Sequence, residues 1–154
     1  MPTVVKGAAQ EVYKALFAAL TGDAALRDLL GVEDEIDKRI YQTAVDFDSA
    51  AAIKGLRWLT FNLTNDVPAP IEQSLDVRLI RLDIHIWERG PGSDKAEAVE
   101  KRVRELLDGQ DISTATLLAY SFVSSGYAKT YEAQQSLWHI TSSFEGMFAA
   151  LEAA

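Results

Sequence analysis

The 154-residue sequence contains no cysteine, two histidines, and 15 basic residues against 23 acidic ones. Without cysteine, neither a disulfide framework nor a thiolate metal site can form. The net charge of -8 disfavours binding to phosphate backbones and anionic lipids, because both require clustered positive charge. We therefore expect no sequence-independent binding to nucleic acid and no docking on a membrane.

Long apolar runs are also missing. Near the amino terminus, Lys6, Gln10, Glu11 and Lys14 interrupt the apolar residues, which excludes a signal-peptide core and a span of about 20 apolar residues. No internal repeat, low-complexity tract or linker divides the chain. A domain of about 150 residues buries roughly 70% of its unfolded surface, so we expect one soluble domain over residues 1–154, not secreted by the ordinary route.

The first third of the chain has a helical pattern. Apolar residues at three- and four-residue steps predict a helix over residues 4–21, which Gly22 ends. Asp23 is placed to cap a short second helix that closes at Gly31. Residues 39–42 are predicted to form a short strand.

The stretch from residue 77 to Gly109 predicts a strand, a tight turn and a helix. Alternation along the strand gives it one buried and one open face. The buried set is Ile80, Leu82, Ile84 and Ile86, and the open set is Arg81, Asp83 and His85. Asp94 is placed to cap the helix, with Glu97 three residues on.

Aromatic and β-branched residues predict three further strands. These strands are residues 57–63, 113–124 and 134–145. The last two are predicted to form a hairpin whose tip covers 125–133, and residues 42–56 and 64–76 are predicted loops. The order of elements indicates an α+β fold, a mostly antiparallel sheet with helices packed on one face.

Candidate chemistry is sparse. His85 and His139 fall on separate strands and could meet across the sheet, where Asp83 would complete a metal site. The alternative is that each is a solvated or hydrogen-bonded residue on a polar strand face. No serine lies in a nucleophile-elbow pattern, and no glycine-rich loop has the form of a phosphate cradle. We predict no enzyme, cofactor or metal, with a ligand-binding domain or enzyme, its pocket near His85 and His139, as the alternative.

The order of elements resembles the bacteriophage tail-completion or tail-terminator proteins, which join head and tail. The resemblance rests on a leading helix, KALFAALTGDAALRDLLG, a short RIYQ segment, the strands RWLTFNL and RLIRLDIHIW, and a helix ending EAVEKRVRELLDG. It covers nearly the whole chain. It implies a structural virion protein of the tail, assembled in the host cytoplasm, with no catalytic residues.

The same resemblance implies a ring, which we expect to be a hexamer, on the head-proximal end of the tail tube. Its expected partners are further copies of itself, the tail tube protein and a neck or head-completion protein, while DNA only passes through the lumen. Predicted loops and the hairpin tip are the expected contact surfaces. The candidate interface residues are Phe47, Ile53, Ile71, Tyr127 and Tyr131. Trp58, Trp87 and Trp138 fall in or at the end of strands, as core or interface residues.

Overall fold

The computed structural model describes residues 4–5, 8–31, 39–42, 57–69 and 76–151. Its helices are α1 (Ala9–Thr21), α2 (Ala24–Leu30) and α3 (Asp94–Leu107). Its strands are β1 (Val4–Val5), β2 (Ile40–Gln42), β3 (Arg57–Pro68), β4 (Arg78–Arg89), β5 (Leu117–Glu132) and β6 (Leu137–Leu151). None of the helices in these described ranges is long and apolar enough to cross a membrane.

Strand β6 organises the sheet, because two long strands flank it. β4 pairs antiparallel with β6 along one edge, and β5 pairs antiparallel with it along the other. β3 pairs antiparallel with β4, and the short β2 pairs parallel with β3. β1 pairs with Ala150 and Leu151 at the end of β6. The predicted α+β fold with a mostly antiparallel sheet is confirmed.

The hydrophobic core lies between the three helices and one face of the sheet. Ile80, Leu82, Ile84 and Ile86 of β4 are fully buried there, as the alternation predicts. The helices contribute side chains that are also fully buried. These include Val12, Leu16 and Leu20 of α1, Leu26 and Leu30 of α2, and Val99, Val103 and Leu107 of α3. This side of the sheet is called the helix face below, and the opposite side the outer face.

The first two helices follow the predicted signals at three of their four ends. Asp23 accepts a hydrogen bond from the backbone N–H of Leu26, and Gly31 ends α2 with a φ of 78°, a conformation that favours glycine. Arg102 of α3 donates two hydrogen bonds to the Asp23 carboxylate, at 2.9 and 2.7 Å, and so ties α2 to α3. The predicted start at residue 4 is wrong, because residues 4–5 pair with β6 and α1 begins at Ala9.

The amino terminus of α3 differs from the prediction. Ser93 occupies the capping position without a side-chain hydrogen bond, and Asp94 is the first helical residue. The N–H groups of Lys95 and Ala96 instead face the carboxylate of Glu88, at the end of β4, whose Oε2 has no hydrogen-bond partner among the described residues. Burial raises the pKa of Glu88, while the Arg57 guanidinium opposes that rise. A residue from the preceding strand therefore replaces the predicted local cap.

Two predicted loops are partly strand. Residues 64–68, predicted as loop, continue β3 after an irregularity between Leu63 and Asn65 and remain paired with β4. The hairpin turns at residues 133–136, so most of the predicted tip, 125–133, belongs to β5. Gly126, predicted to be part of a turn, lies at a β-bulge. Glycine inside a strand often marks a bulge of this kind. Residues 43–56 and 70–75 lie outside the described residues.

Candidate assembly interface and histidine pair

The outer edge of β5 has two halves with different surroundings. In the first half, the segment after α3 covers the strand: Gly109 N–H donates to the Phe122 carbonyl, and Ser124 N–H donates to the Asp108 carboxylate. Two bulges, between Ala119 and Ser121 and between Ser124 and Gly126, also interrupt this half. Bulges and coverings of this kind keep a strand edge from pairing with other chains.

The second half of β5, residues 126–132, is called the open edge. Its register with β6 is regular, and among the described strands β6 alone pairs with it. A regular strand with one unpaired side presents a row of main-chain N–H and C=O groups to another chain. The described part of the chain therefore has one long strand that is protected in its first half and available in its second.

Aromatic side chains line the open edge on the helix face. Tyr127 and Tyr131 are 53% and 43% exposed. Lys129 lies between them and binds Glu97 of α3 at 2.6 Å, with its ammonium group 5.5 Å from the ring centre of Trp138. The Tyr131 and Trp138 ring centres are 4.8 Å apart. Because Glu97 neutralises the lysine, the strip combines exposed aromatic area with little net charge.

Two of the five predicted interface residues, Tyr127 and Tyr131, are thus brought together on one exposed strip. The other three, Phe47, Ile53 and Ile71, lie outside the described residues. Two further exposed side chains of β5, Tyr120 and Val123, at 49% and 46%, lie on the covered half of the strand and outside the open edge. Their alternation with buried Phe122 is broken by the bulges, so no periodic signal in the sequence identified them.

The outer face carries an aromatic and polar cluster across β3, β4 and β6. His85 Nδ1 lies 2.8 Å from His139 Nε2, and the Thr141 hydroxyl lies 3.3 and 3.2 Å from these two nitrogens. Trp87 stacks on the His139 ring, with centroids 3.8 Å apart and planes 8° from parallel. Trp58 stacks in turn on Trp87 at 6.2 Å. The predicted meeting of the two histidines across the sheet is present.

Burial sets the protonation of this histidine pair. Desolvation lowers the pKa of His85, which the Asp83 carboxylate partly opposes. Desolvation, followed by the charge of His85, lowers the pKa of His139 to about 4. Both rings are therefore neutral near pH 7. Two neutral imidazoles at this distance share one hydrogen bond, with one ring as donor and the other as acceptor.

Asp83 does not join the pair. Its carboxylate accepts a hydrogen bond of 2.6 Å from Ser143. Among the residues that the structure describes, no group of three or more histidine, aspartate or glutamate side chains is placed to hold a metal ion. The three-ligand site with Asp83 that the sequence raised as a possibility is therefore absent from this cluster.

Comparison with known proteins identifies a family for this chain. The family model of tail completion protein gp17 matches residues 14–148. The chain belongs to this tail completion family. Its structural role in tail completion and its location in the virion tail follow from that membership, and the predicted resemblance is confirmed.

Solved structures add a match at the level of the fold. A chain in the virion of a native gene transfer agent particle superposes with a TM-score of 0.67 at 13% sequence identity, and the alignment covers 90% of this chain and 93% of that chain. At this identity the likeness establishes a shared fold. The search of curated proteins finds no match.

Proposed function

We propose that the protein is the subunit of a ring, expected to be a hexamer, that closes the head-proximal end of the tail tube and joins it to neck or head-completion proteins. The observation that carries this proposal is the open edge of β5, where Tyr127 and Tyr131 are exposed beside main-chain groups that no other described strand pairs with. Membership of the tail completion family supports a structural role without catalysis.

A second copy of the chain is the occupant that fits the open edge in a ring. Rings arise from head-to-tail contacts, in which each subunit presents two different surfaces. The sheet has two unlike sides: β5 bounds one, and the other ends at β2 and the far half of β3. Residues 64–68 of β3 are exposed, and among the described strands they pair only with β4. The two sides supply the two surfaces that closure needs.

The charge of the chain is compatible with DNA passing through the ring. A net charge of -8 gives each subunit acidic surface, and acidic walls do not hold a phosphate backbone. We expect acidic side chains to line the lumen. A ring structure with a basic lumen would contradict this part of the proposal.

The test is to image the untagged protein by negative-stain electron microscopy, alone and mixed with tail tubes, and to weigh its complexes by native mass spectrometry. We expect rings of uniform subunit number, in solution or on tube ends. A protein that stays monomeric in both settings would contradict ring formation.

Two variants locate the interface. Tyr127→Asp with Tyr131→Asp should reduce the ring population at least tenfold and leave the fold intact, because both side chains are exposed. Tyr120→Asp is the matched control, since Tyr120 is similarly exposed on the protected half of the same strand. Rings that persist in the double variant and disappear in the control would place the interface elsewhere.

A further inference from the structure

The two long strands at the sides of the sheet run in opposite directions. Across the sheet, β3, β4, β6 and β5 each run antiparallel to the next strand, so β3 and β5 point opposite ways. In a ring of six subunits, neighbours are related by a rotation of about 60°, and such a rotation changes the direction of any strand by no more than that. Where β5 of one subunit meets β3 of the next edge to edge, the two strands are therefore antiparallel.

The far half of β3, residues 64–68, presents main-chain groups on the side away from β4. Ala69 N–H donates to the carbonyl of the residue that precedes β4, and the main-chain groups of a strand alternate between its two sides. Asp66 and Pro68 therefore turn their main-chain groups outward. All five residues of this half are exposed. The Asp66 carbonyl accepts a hydrogen bond from Arg78 and keeps a second lone pair for another donor.

The same alternation assigns the outward groups of the open edge. Leu151 N–H donates to the carbonyl of residue 116, at the start of β5, so the odd-numbered residues of β6 turn their main-chain groups toward β5. In the open edge these β6 residues pair with the even-numbered residues of β5. The main-chain groups of Tyr127, Lys129 and Tyr131 therefore point outward, and their side chains lie on the helix face.

Two conditions restrict how these two edges can pair. Outward main-chain groups must meet each other, and side chains opposite one another must lie on the same face of the sheet. Asp66 and Pro68 lie on the helix face, because they pair with residues 80 and 78 of β4. A register with Lys129 opposite Asp66 and Tyr127 opposite Pro68 meets both conditions. Lys129 and Asp66 each have a partner of opposite charge in their own subunit, so this register joins two ion pairs into a row of alternating sign.

We propose that the open edge of each subunit pairs antiparallel with the far half of β3 in its neighbour, with Lys129 opposite Asp66 and Ala128 opposite Val67. This inference rests on the proposed ring and specifies the contact that closes it. The helix faces of all subunits then lie on the same side of a sheet that continues around the ring. Registers shifted by two residues keep the faces but separate Lys129 from Asp66.

The test is a disulfide between subunits, which is simple to interpret because the chain contains no cysteine. Ala128→Cys with Val67→Cys replaces two exposed side chains of the outer face. In the proposed register the two residues form a pair without main-chain hydrogen bonds, with Cα atoms about 4.5 Å apart, a distance that a disulfide spans. Mild oxidation of assembled rings should produce a ladder of linked chains on a non-reducing gel, up to the full ring.

The matched controls combine Ala128→Cys with Asn65→Cys or with Ala69→Cys, which lie opposite it only in the shifted registers. In the proposed register these residues are diagonal neighbours roughly 7–8 Å away, so we expect about tenfold slower linking. Ala128→Cys alone detects two open edges paired with each other, and we expect no linked dimer from it.

A second measurement uses unmodified rings assembled from isotope-labelled and unlabelled subunits. A carbodiimide should join the Lys129 ammonium to the Asp66 carboxylate between subunits, which mass spectrometry detects as mixed-label peptides. Rings that give neither this product nor the disulfide ladder, or that link equally fast in a control, would overturn the proposed pairing and leave the ring itself standing. Absence of rings in the unmodified protein would instead overturn the ring, and the pairing with it.

Discussion

Strands β4 and β5 flank the same strand, β6, and yet their side chains obey different constraints. In β4, burial alternates without interruption from Ile80 to Glu88, since the helix face is core and the outer face is partly open. In β5, buried Leu117 and Phe122 are followed by a half that is mostly exposed. A bulge between Ser124 and Gly126 separates these two regions of β5.

The difference in burial reflects the position of each strand in the sheet. A strand between two neighbours has its backbone groups paired inside the sheet, so its sequence is fixed by packing. A strand at the edge has one free side, and residues exposed there are not explained by packing in the monomer. Tyr127 and Tyr131 are of this second kind. The comparison therefore assigns a stabilising role to β4, and it supports the proposal that the second half of β5 contacts other chains.

The strongest way to break this comparison is Ile84→Asp. Ile84 is fully buried on the helix face of β4, so an unpaired carboxylate there should cost at least about 4 kcal/mol and unfold the domain. Arg81→Ser, on the outer face of the same strand, is the control and should change the free energy of unfolding by less than about 0.5 kcal/mol. Urea denaturation measures both. Equal stability of the two variants would show that the core face is wrongly assigned.

The sequence predicted β4 and the Asp23 cap because both depend on neighbours in the chain. Alternation at residues 80–86 needs only the two-residue period of a strand, and Asp23 needs only a helix beginning at the next residue. The Glu88 carboxylate faces the N–H groups of Lys95 and Ala96 from across a turn and takes the place of the predicted cap at Asp94. Local patterns do not reveal such a replacement.

The end of β3, the bulge of β5 and the contact between His85 and His139 could not be predicted without the register of the sheet. Pro68 predicted a loop but ends a strand, because beyond β2 no described strand lies on the outer side of β3 to accept a hydrogen bond from an N–H at this position. Gly126 is a residue type typical of turns, but it lies at a bulge. The histidines meet only because Trp87 pairs with His139 and His85 with Thr141. A shift of one residue would send one ring to the other face.

A second test compares the covered and the open half of the β5–β6 pairing through one glycine in each. A Cβ at Gly146 would overlap the Ser121 carbonyl oxygen at the first bulge of β5 and would lie 2.8 Å from the Phe148 ring. Gly146→Ala should therefore cost about 2–3 kcal/mol, because the contact is with backbone that cannot move freely. Thermal or urea unfolding gives the value.

Gly126→Ala is the control for that substitution. A Cβ at Gly126 would meet only the Ser143 side chain at 3.7 Å, an ordinary contact, so its stability should be unchanged or slightly higher. If both alanines were tolerated equally, the bulged packing of β5 against β6 would be contradicted. If both destabilised the protein, the open half of β5 would be as constrained as the covered half.

The smallest expected effect concerns the seam between β4 and β6, where the histidine pair makes stability depend on pH. The folded protein lowers the pKa of His139 to about 4, against 6.5 as its ordinary value, so between these two pH values the unfolded chain binds more protons. Stability contributed by the neutral ring is fully present above about pH 6.5 and is lost as the pH falls toward 4. His139→Asn removes this contribution.

Urea denaturation of the native protein and His139→Asn at pH 7 and pH 4.5 measures the effect. Carboxylates common to both proteins, including Asp83 and Glu132 near the pair, cancel in the comparison to first order. The native protein should lose about 1–2 kcal/mol more than the variant over this interval. Parallel losses would mean that the ring is as accessible to protons in the folded state as in the unfolded state, and that the seam between β4 and β6 opens more easily than its regular register implies.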